Sequence, residues 1–107
     1  MILTTTETIS GKELETIGLV KGSTIQSKNI GRDIMSGLKT IVGGELVSYT
    51  AMMNEARALA TKRMVDEATV LGADAVVCLR YASASVMAGA AEVMAYGTAV
   101  KLRDSKV

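Results

Sequence analysis

The sequence predicts an α+β fold, a small, mainly antiparallel sheet packed by one long helix and one short helix within a single domain, 1–107. Three observations carry this. Residues 45–72 hold good helix formers with apolar side chains at helical spacing. Residues 73–87 and 90–102 are β-prone runs joined near Gly89. There is no proline, no low-complexity tract, no repeat and no stretch that reads as a linker.

In chain order, "MILTT" (1–5) is short and β-prone, and Gly11 marks a turn. "LETIGLVKGSTIQSK" (14–28) reads as an extended segment. Its apolar residues Leu14, Ile17, Leu19, Val20 and Ile25 do not alternate cleanly, and Gly18 and Gly22 predict a bulge or a close backbone approach. "NIGRDIMSGLKTIV" (29–42) places Ile30, Ile34, Leu38 and Ile41/Val42 on one stripe, the short helix. Asn29 or Ser27 would cap its start, Asp33 suits its positive end, and Gly43-Gly44 ends it.

The long helix presents Tyr49, Met53, Ala56, Ala60, Met64 and Leu71 on one face, with Met52, Leu59 and Ala68 beside them. Lys62–Asp66 and Arg63–Glu67 are opposite charges at i, i+4, and Gly72 falls at a C-terminal cap position. In the next strand Ala75, Val77, Leu79 and Tyr81 are predicted on one face, with Val76, Cys78, Arg80 and Ala82 on the other. In the last, Val93, Ala95, Gly97 and Ala99 oppose Met94, Tyr96, Thr98, Val100 and Leu102. Both faces are largely apolar, so one helix cannot cover them, and a partner subunit is the simplest cover. Residues 103–107 read as a frayed polar tail.

Composition narrows function. The chain has no Phe, no Trp and three Tyr, so its core is Ala, Val, Ile, Leu and Met. Small side chains bury little area each, which makes a short monomer marginal and self-association the remedy. A net charge of +1 gives no bulk reason to expect nucleic acid or an anionic membrane, and no stretch approaches a membrane span. One cysteine, Cys78, and no basic leader with an apolar run predict a reducing, cytoplasmic setting. The absence of histidine excludes Ser-His-Asp and Cys-His catalysis and imidazole metal ligands.

The densest segment is 29–50. Its glycines, helix ends and the cations Lys28, Arg32 and Lys39 are the parts of an anion site. The spacing is not that of a phosphate loop, so a helix–Gly-Gly–helix connection is the more economical reading. Arg32, Asp33 and Glu45 then suit the polar centre of an inter-subunit contact. Cys78 is a soft-metal ligand or redox thiol by chemistry, and a small buried hydrophobe by default. Tyr96, beside Gly97-Thr98, marks a place where a ligand or another backbone could come close. Seven methionines, several at helical spacing, fill a core without aromatic rings.

Several ordered motifs resemble the YbjQ-like family over about residues 2–102. They are Asn29-Ile30-Gly31-Arg32-Asp33, Val42-Gly43-Gly44-Glu45, Tyr49, Glu55-Ala56-Arg57, Gly72-Ala73-Asp74-Ala75-Val76-Val77 and Ala95-Tyr96-Gly97-Thr98-Ala99-Val100. The resemblance implies a compact α+β subunit in a ring-like homo-oligomer, a pentamer, with no demonstrated activity and a heavy-metal-binding label. The expectation is therefore an oligomeric scaffold or binding protein without a cofactor, whose small-molecule or metal ligand is not named by the sequence. Arg32, Asp33, Gly43, Gly44, Glu45, Tyr49 and Tyr96 are its ligand or interface candidates. One alternative is heavy-metal-ion binding by the assembled oligomer through Cys78. The other is an enzyme or anion site at subunit interfaces anchored by Arg32.

Overall fold

The computed structural model describes residues 1–27, 44–87 and 90–105, with side chains for 1–26, 50–87 and 90–105. The elements are β1 (Ile2–Leu3), β2 (Lys12–Ser27), α1 (Gly44–Val70), β3 (Ala75–Met87) and β4 (Ala90–Asp104). The predicted short helix, 29–42, lies outside the described residues. The four strands form one sheet in the order β1-β3-β4-β2. The α+β class holds, but the sheet is mixed rather than antiparallel. β1 runs parallel to β3, while the β3–β4 and β2–β4 pairings are antiparallel. The parallel pair is a consequence of chain order, since β1 and β3 are separated by β2 and α1 and need no tight turn.

Helix α1 forms because it contains neither proline nor an internal glycine and packs an apolar face. Met52, Ala56, Ala60, Met64 and Ala68 are buried, every fourth residue, while Leu59 and Leu71, predicted on or beside this face, are exposed. The helix ends as predicted. Gly72 takes φ +78°, its N–H donates to the Thr69 carbonyl at 3.0 Å, and the Ala73 N–H donates to the Ala68 carbonyl at 3.0 Å. Those bonds satisfy carbonyls that the last turn leaves open. Of the two predicted ion pairs, Lys62–Asp66 forms at 3.0 Å. Arg63 instead donates to the carbonyl of Ser23 on β2 at 2.6 Å.

Small residues set the distance between helix and sheet. A Cβ on Gly22 would fall on the backbone of Ala60 and Met64 and 2.7 Å from the carbonyl carbon of Arg63. Around this contact lie Val20, Ala56, Ala60, Ala68, Val76, Leu79, Val93, Ala95 and Ala99. Backbone packed this closely leaves no room for an aromatic ring, which accounts for a core without Phe or Trp.

Two bulges change which residues share a face. In β2 the register against β4 shifts between Thr16 and Gly18, so Leu14 lies on one face while Val20, Gly22 and Thr24 meet the helix. In β3 the shift falls between Val77 and Arg80. This overturns the predicted alternation. Leu79 joins Val76 on the helix face, while Ala75 and Val77 face away with Val100, Leu14, Leu102 and Ile9. The β4 faces are as predicted, with Val93, Ala95 and Ala99 in the helix-side core and Val100 on the other face. The end of the chain also departs from expectation. β4 continues to Asp104, Arg103 bonds Glu15 at 2.7 Å, and the Ser105 N–H donates to the Gly11 carbonyl at 3.3 Å. Pairing with the first residues of β2 holds what reads in sequence as a loose tail.

Candidate functional site

The helix covers one face of the sheet. Among the described residues the other face is covered at one end, where Ile9 and its neighbours pack on Ala75, Val77 and Val100. Beyond that end lie cross-strand rows fixed by the registers. Lys21, Tyr96 and Arg80 form one, Ser23, Met94 and Ala82 the next, then Ile25, Glu92 and Ala84. Leu19, opposite Thr98, is 67% exposed and Ile25 59%. Tyr96 stands at the centre of this face at 36% exposure, between two cations. Exposed Leu19, Ile25 and the Tyr96 ring, set among charged and small residues, make this face a candidate interaction surface.

The glycine beside Tyr96 has a local purpose. A Cβ on Gly97 would lie 2.6 Å from Val76 Cγ1 and 3.0 Å from the Val77 carbonyl oxygen. Gly97 is the residue that the β3 bulge faces, so its bareness accommodates the chain's own neighbouring strand rather than a ligand.

Cys78 occupies that bulge. It is half-buried beside the second apolar cluster, and its φ of 55° lies in the left-handed region that side chains disfavour. Its N–H donates to the Thr6 carbonyl at 3.0 Å, and the Leu79 N–H to the Thr4 carbonyl at 3.0 Å. The segment after β1 therefore fastens the bulge. Arg80 adds a bond from Nη1 to the Thr5 carbonyl at 3.0 Å. Among the described residues no three His, Cys, Asp or Glu side chains gather as a metal cluster.

On the helix side, a shallow groove of about 430 Å³ is lined by Leu3, Thr4, Thr5, Leu79 and Tyr81. The Tyr81 hydroxyl hydrogen-bonds Thr61 Oγ1 at 2.8 Å. Among the described residues no charged side chain lines the groove.

The remaining candidates fall at the edge of the description. Arg32, Asp33 and Gly43 lie outside the described residues. Gly44, Glu45 and Tyr49 form the first turns of α1, and their side chains are not among those described. Of the sequence candidates, Tyr96 and Cys78 are thus placed, on neighbouring strands: Tyr96 on the open face, Cys78 in the bulge that faces Gly97. Sequence reasoning missed Leu19 and Ile25 as surface residues. The β2 register, shifted by its bulge, is what brings both beside Tyr96.

Two of the described ion pairs, Lys12–Asp104 and Arg103–Glu15, lie at the strand ends. Lys12 hydrogen-bonds Asp104 and, by its charge as well, holds that exposed carboxyl below its usual range. No described helix is long and apolar enough to cross a membrane.

Comparison with known proteins agrees with the motifs. A family model described as "Putative heavy-metal-binding", YbjQ, matches residues 1–103. A UPF0145 protein of Clostridium novyi (strain NT) is 69% identical over 102 residues, covering 95% of this chain and 99% of its own. UPF0145 proteins of Alkaliphilus metalliredigens and Methanosarcina acetivorans are 68% and 58% identical, covering 94% and 97% of this chain and 98% and 99% of theirs. A solved structure from Pediococcus pentosaceus, titled as a protein of unknown function in the DUF74 family, shares the fold at a TM-score of 0.61 and 16% identity, covering 96% of this chain and 98% of its own. From its β1 strand through β4, this chain belongs to the YbjQ family of UPF0145 proteins.

Proposed function

We propose that the chain is the subunit of a self-assembling, ring-like scaffold or binding protein, a homopentamer by its family resemblance. One observation carries the reading. Among the described residues a helix covers one face of the sheet, and Leu19, Ile25 and Tyr96 stand exposed on the other. A second copy is the partner whose supply is guaranteed, and burial of these side chains contributes roughly 25 cal/mol per Å². Light scattering after size exclusion, with native mass spectrometry, is expected to give a multiple of five copies. Leu19→Asp or Tyr96→Glu is expected to disperse the ring into smaller folded species. A wild-type monomer at micromolar concentration would remove the proposal.

The family description favours a second reading, a heavy-metal ion held by the oligomer. Soft metals take thiolates, and a ring multiplies Cys78. Equilibrium dialysis with zinc, copper and cadmium separates the two. Uptake lost in Cys78→Ser supports the thiolate site, and equal uptake by both proteins removes it.

A further inference from the structure

The outer half of β3 is the part of the sheet that the fold itself leaves least accounted for. Every residue from Arg80 to Met87 is exposed, with Met87 at 67%. The sequence from 81 to 91 contains no charged residue. A solvated arm normally carries charge, and this one carries Tyr81, Val86 and Met87 between alanines and serines.

Its edge is also bare. β1 pairs with Ala75 and Val76 alone, and Thr4 and Thr6 extend the bonding only as far as Leu79. From Arg80 to Met87 no strand among the described residues lies on that side. The opposite edge of the sheet, β2, is guarded. It carries Lys12, Glu13, Glu15 and Lys21 along its first ten residues, and beyond them Arg63 from the helix occupies the Ser23 carbonyl. Charges and covering side chains are how sheets prevent edge pairing. Guarding one edge and leaving the other open and, beyond Arg80, uncharged favours a specific strand partner at the open one.

We propose that this edge pairs antiparallel with the same edge of a second copy, about a two-fold axis through Ser83. Such an axis stands perpendicular to the sheet and keeps each residue on its own face, so paired residues must share a face. Centred on Ser83, Ala82 faces Ala84 of the second copy, Tyr81 faces Ser85, and Arg80 faces the bulge at 86–87. That bulge turns Met87 to the face of Arg80, because Met87 pairs with Ala90 and Arg80 with Tyr96. The faces therefore match along the whole segment. The centre consists of Ala and Ser, which let two backbones approach, and the two Arg80 side chains sit at opposite ends. Parallel self-pairing would set them side by side, which is unfavourable. The inference shares with the preceding proposal only the second copy. A two-fold contact cannot close a ring; it joins subunits of two rings, or two free subunits.

Cysteine cross-linking tests this in the full chain with Cys78→Ser as background. Ser83→Cys, on the axis, is expected to form a covalent dimer in most chains on mild oxidation. Ala84→Cys alone is expected to cross-link at least fivefold less, and to couple with Ala82→Cys when the two proteins are mixed. Tyr96→Glu on the Ser83→Cys protein is expected to disperse the larger assembly and keep the dimer. A wild-type oligomer whose Ser83→Cys form stays uncoupled overturns the edge contact and leaves the ring standing. Equal cross-linking at 83 and 84 overturns the register and with it the proposal, as does binding of an added peptide to the edge of a chain that never dimerises.

Discussion

Two residues make the sharpest claims about how this backbone is built. Cys78 holds φ at 55°, a conformation costing a side-chain-bearing residue about 1–2 kcal/mol. Cys78→Gly removes that cost and a few apolar contacts, so its net effect on unfolding free energy is expected within about 1 kcal/mol. Cys78→Val adds a branched Cβ to the same strain and is expected to lose about 2 kcal/mol or more in urea unfolding. Gly22 is the opposite case, limited by space. Gly22→Ala drives a methyl into the helix backbone at Ala60 and Met64 and is expected to cost about 3 kcal/mol. A Gly22→Ala protein melting with the wild type would show that helix and sheet are not held this close.

Among elements, α1 is held by its row of buried residues, and Met64 is the largest of them. Met64→Ala leaves a void among alanines that cannot collapse to fill it, and about 2–5 kcal/mol of stability is expected to be lost by thermal unfolding. The β2–β4 pair ends in the exposed Lys12–Asp104 contact, whose lowered carboxyl pKa sets a sign. Stabilisation by Asp104 is present above its ordinary value of 3.8 and is lost as pH falls through the lowered native value. Asp104→Asn is therefore expected to melt slightly lower than wild type near neutrality and equal to it at pH 2. Much of this element structure is legible in sequence. The helix, its Gly72 cap and the β4 faces follow from periodicity and cap chemistry. The β3 faces do not. One extra residue opposite Gly97 inverts the alternation, and that count depends on a pairing partner that a single strand does not reveal. Tyr96 could be picked out from its neighbours Gly97 and Thr98. Leu19 and Ile25 could not, because their face depends on the bulge near Ile17.

For the whole molecule, the chain is extended rather than spherical. Its radius of gyration is 17.5 Å, against about 13 Å for a compact chain of this length. A small core and an elongated outline make stability depend on what the long faces meet. Melting temperature is expected to rise with protein concentration in the wild type, and to rise less steeply in Leu19→Asp. Differential scanning calorimetry over a hundredfold dilution checks this, and a flat wild-type series would place the stabilising contacts within one subunit.

The bulge at Cys78 also works as a frame shift in the strand's two-letter alphabet of in and out. Residues before it are read in one phase and residues after it in the other, although the strand continues unbroken. Deleting Cys78 alone would close the bulge, set Val77, Leu79 and Arg80 opposite Thr98, Gly97 and Tyr96 in plain alternation, and leave every residue from Arg80 outward on the face it holds now. Tyr81 would keep Thr61 and Arg80 would still point away from the helix. Cys78 is thus a spare letter, which lets a sequence written out of phase be read in phase by its neighbouring strand.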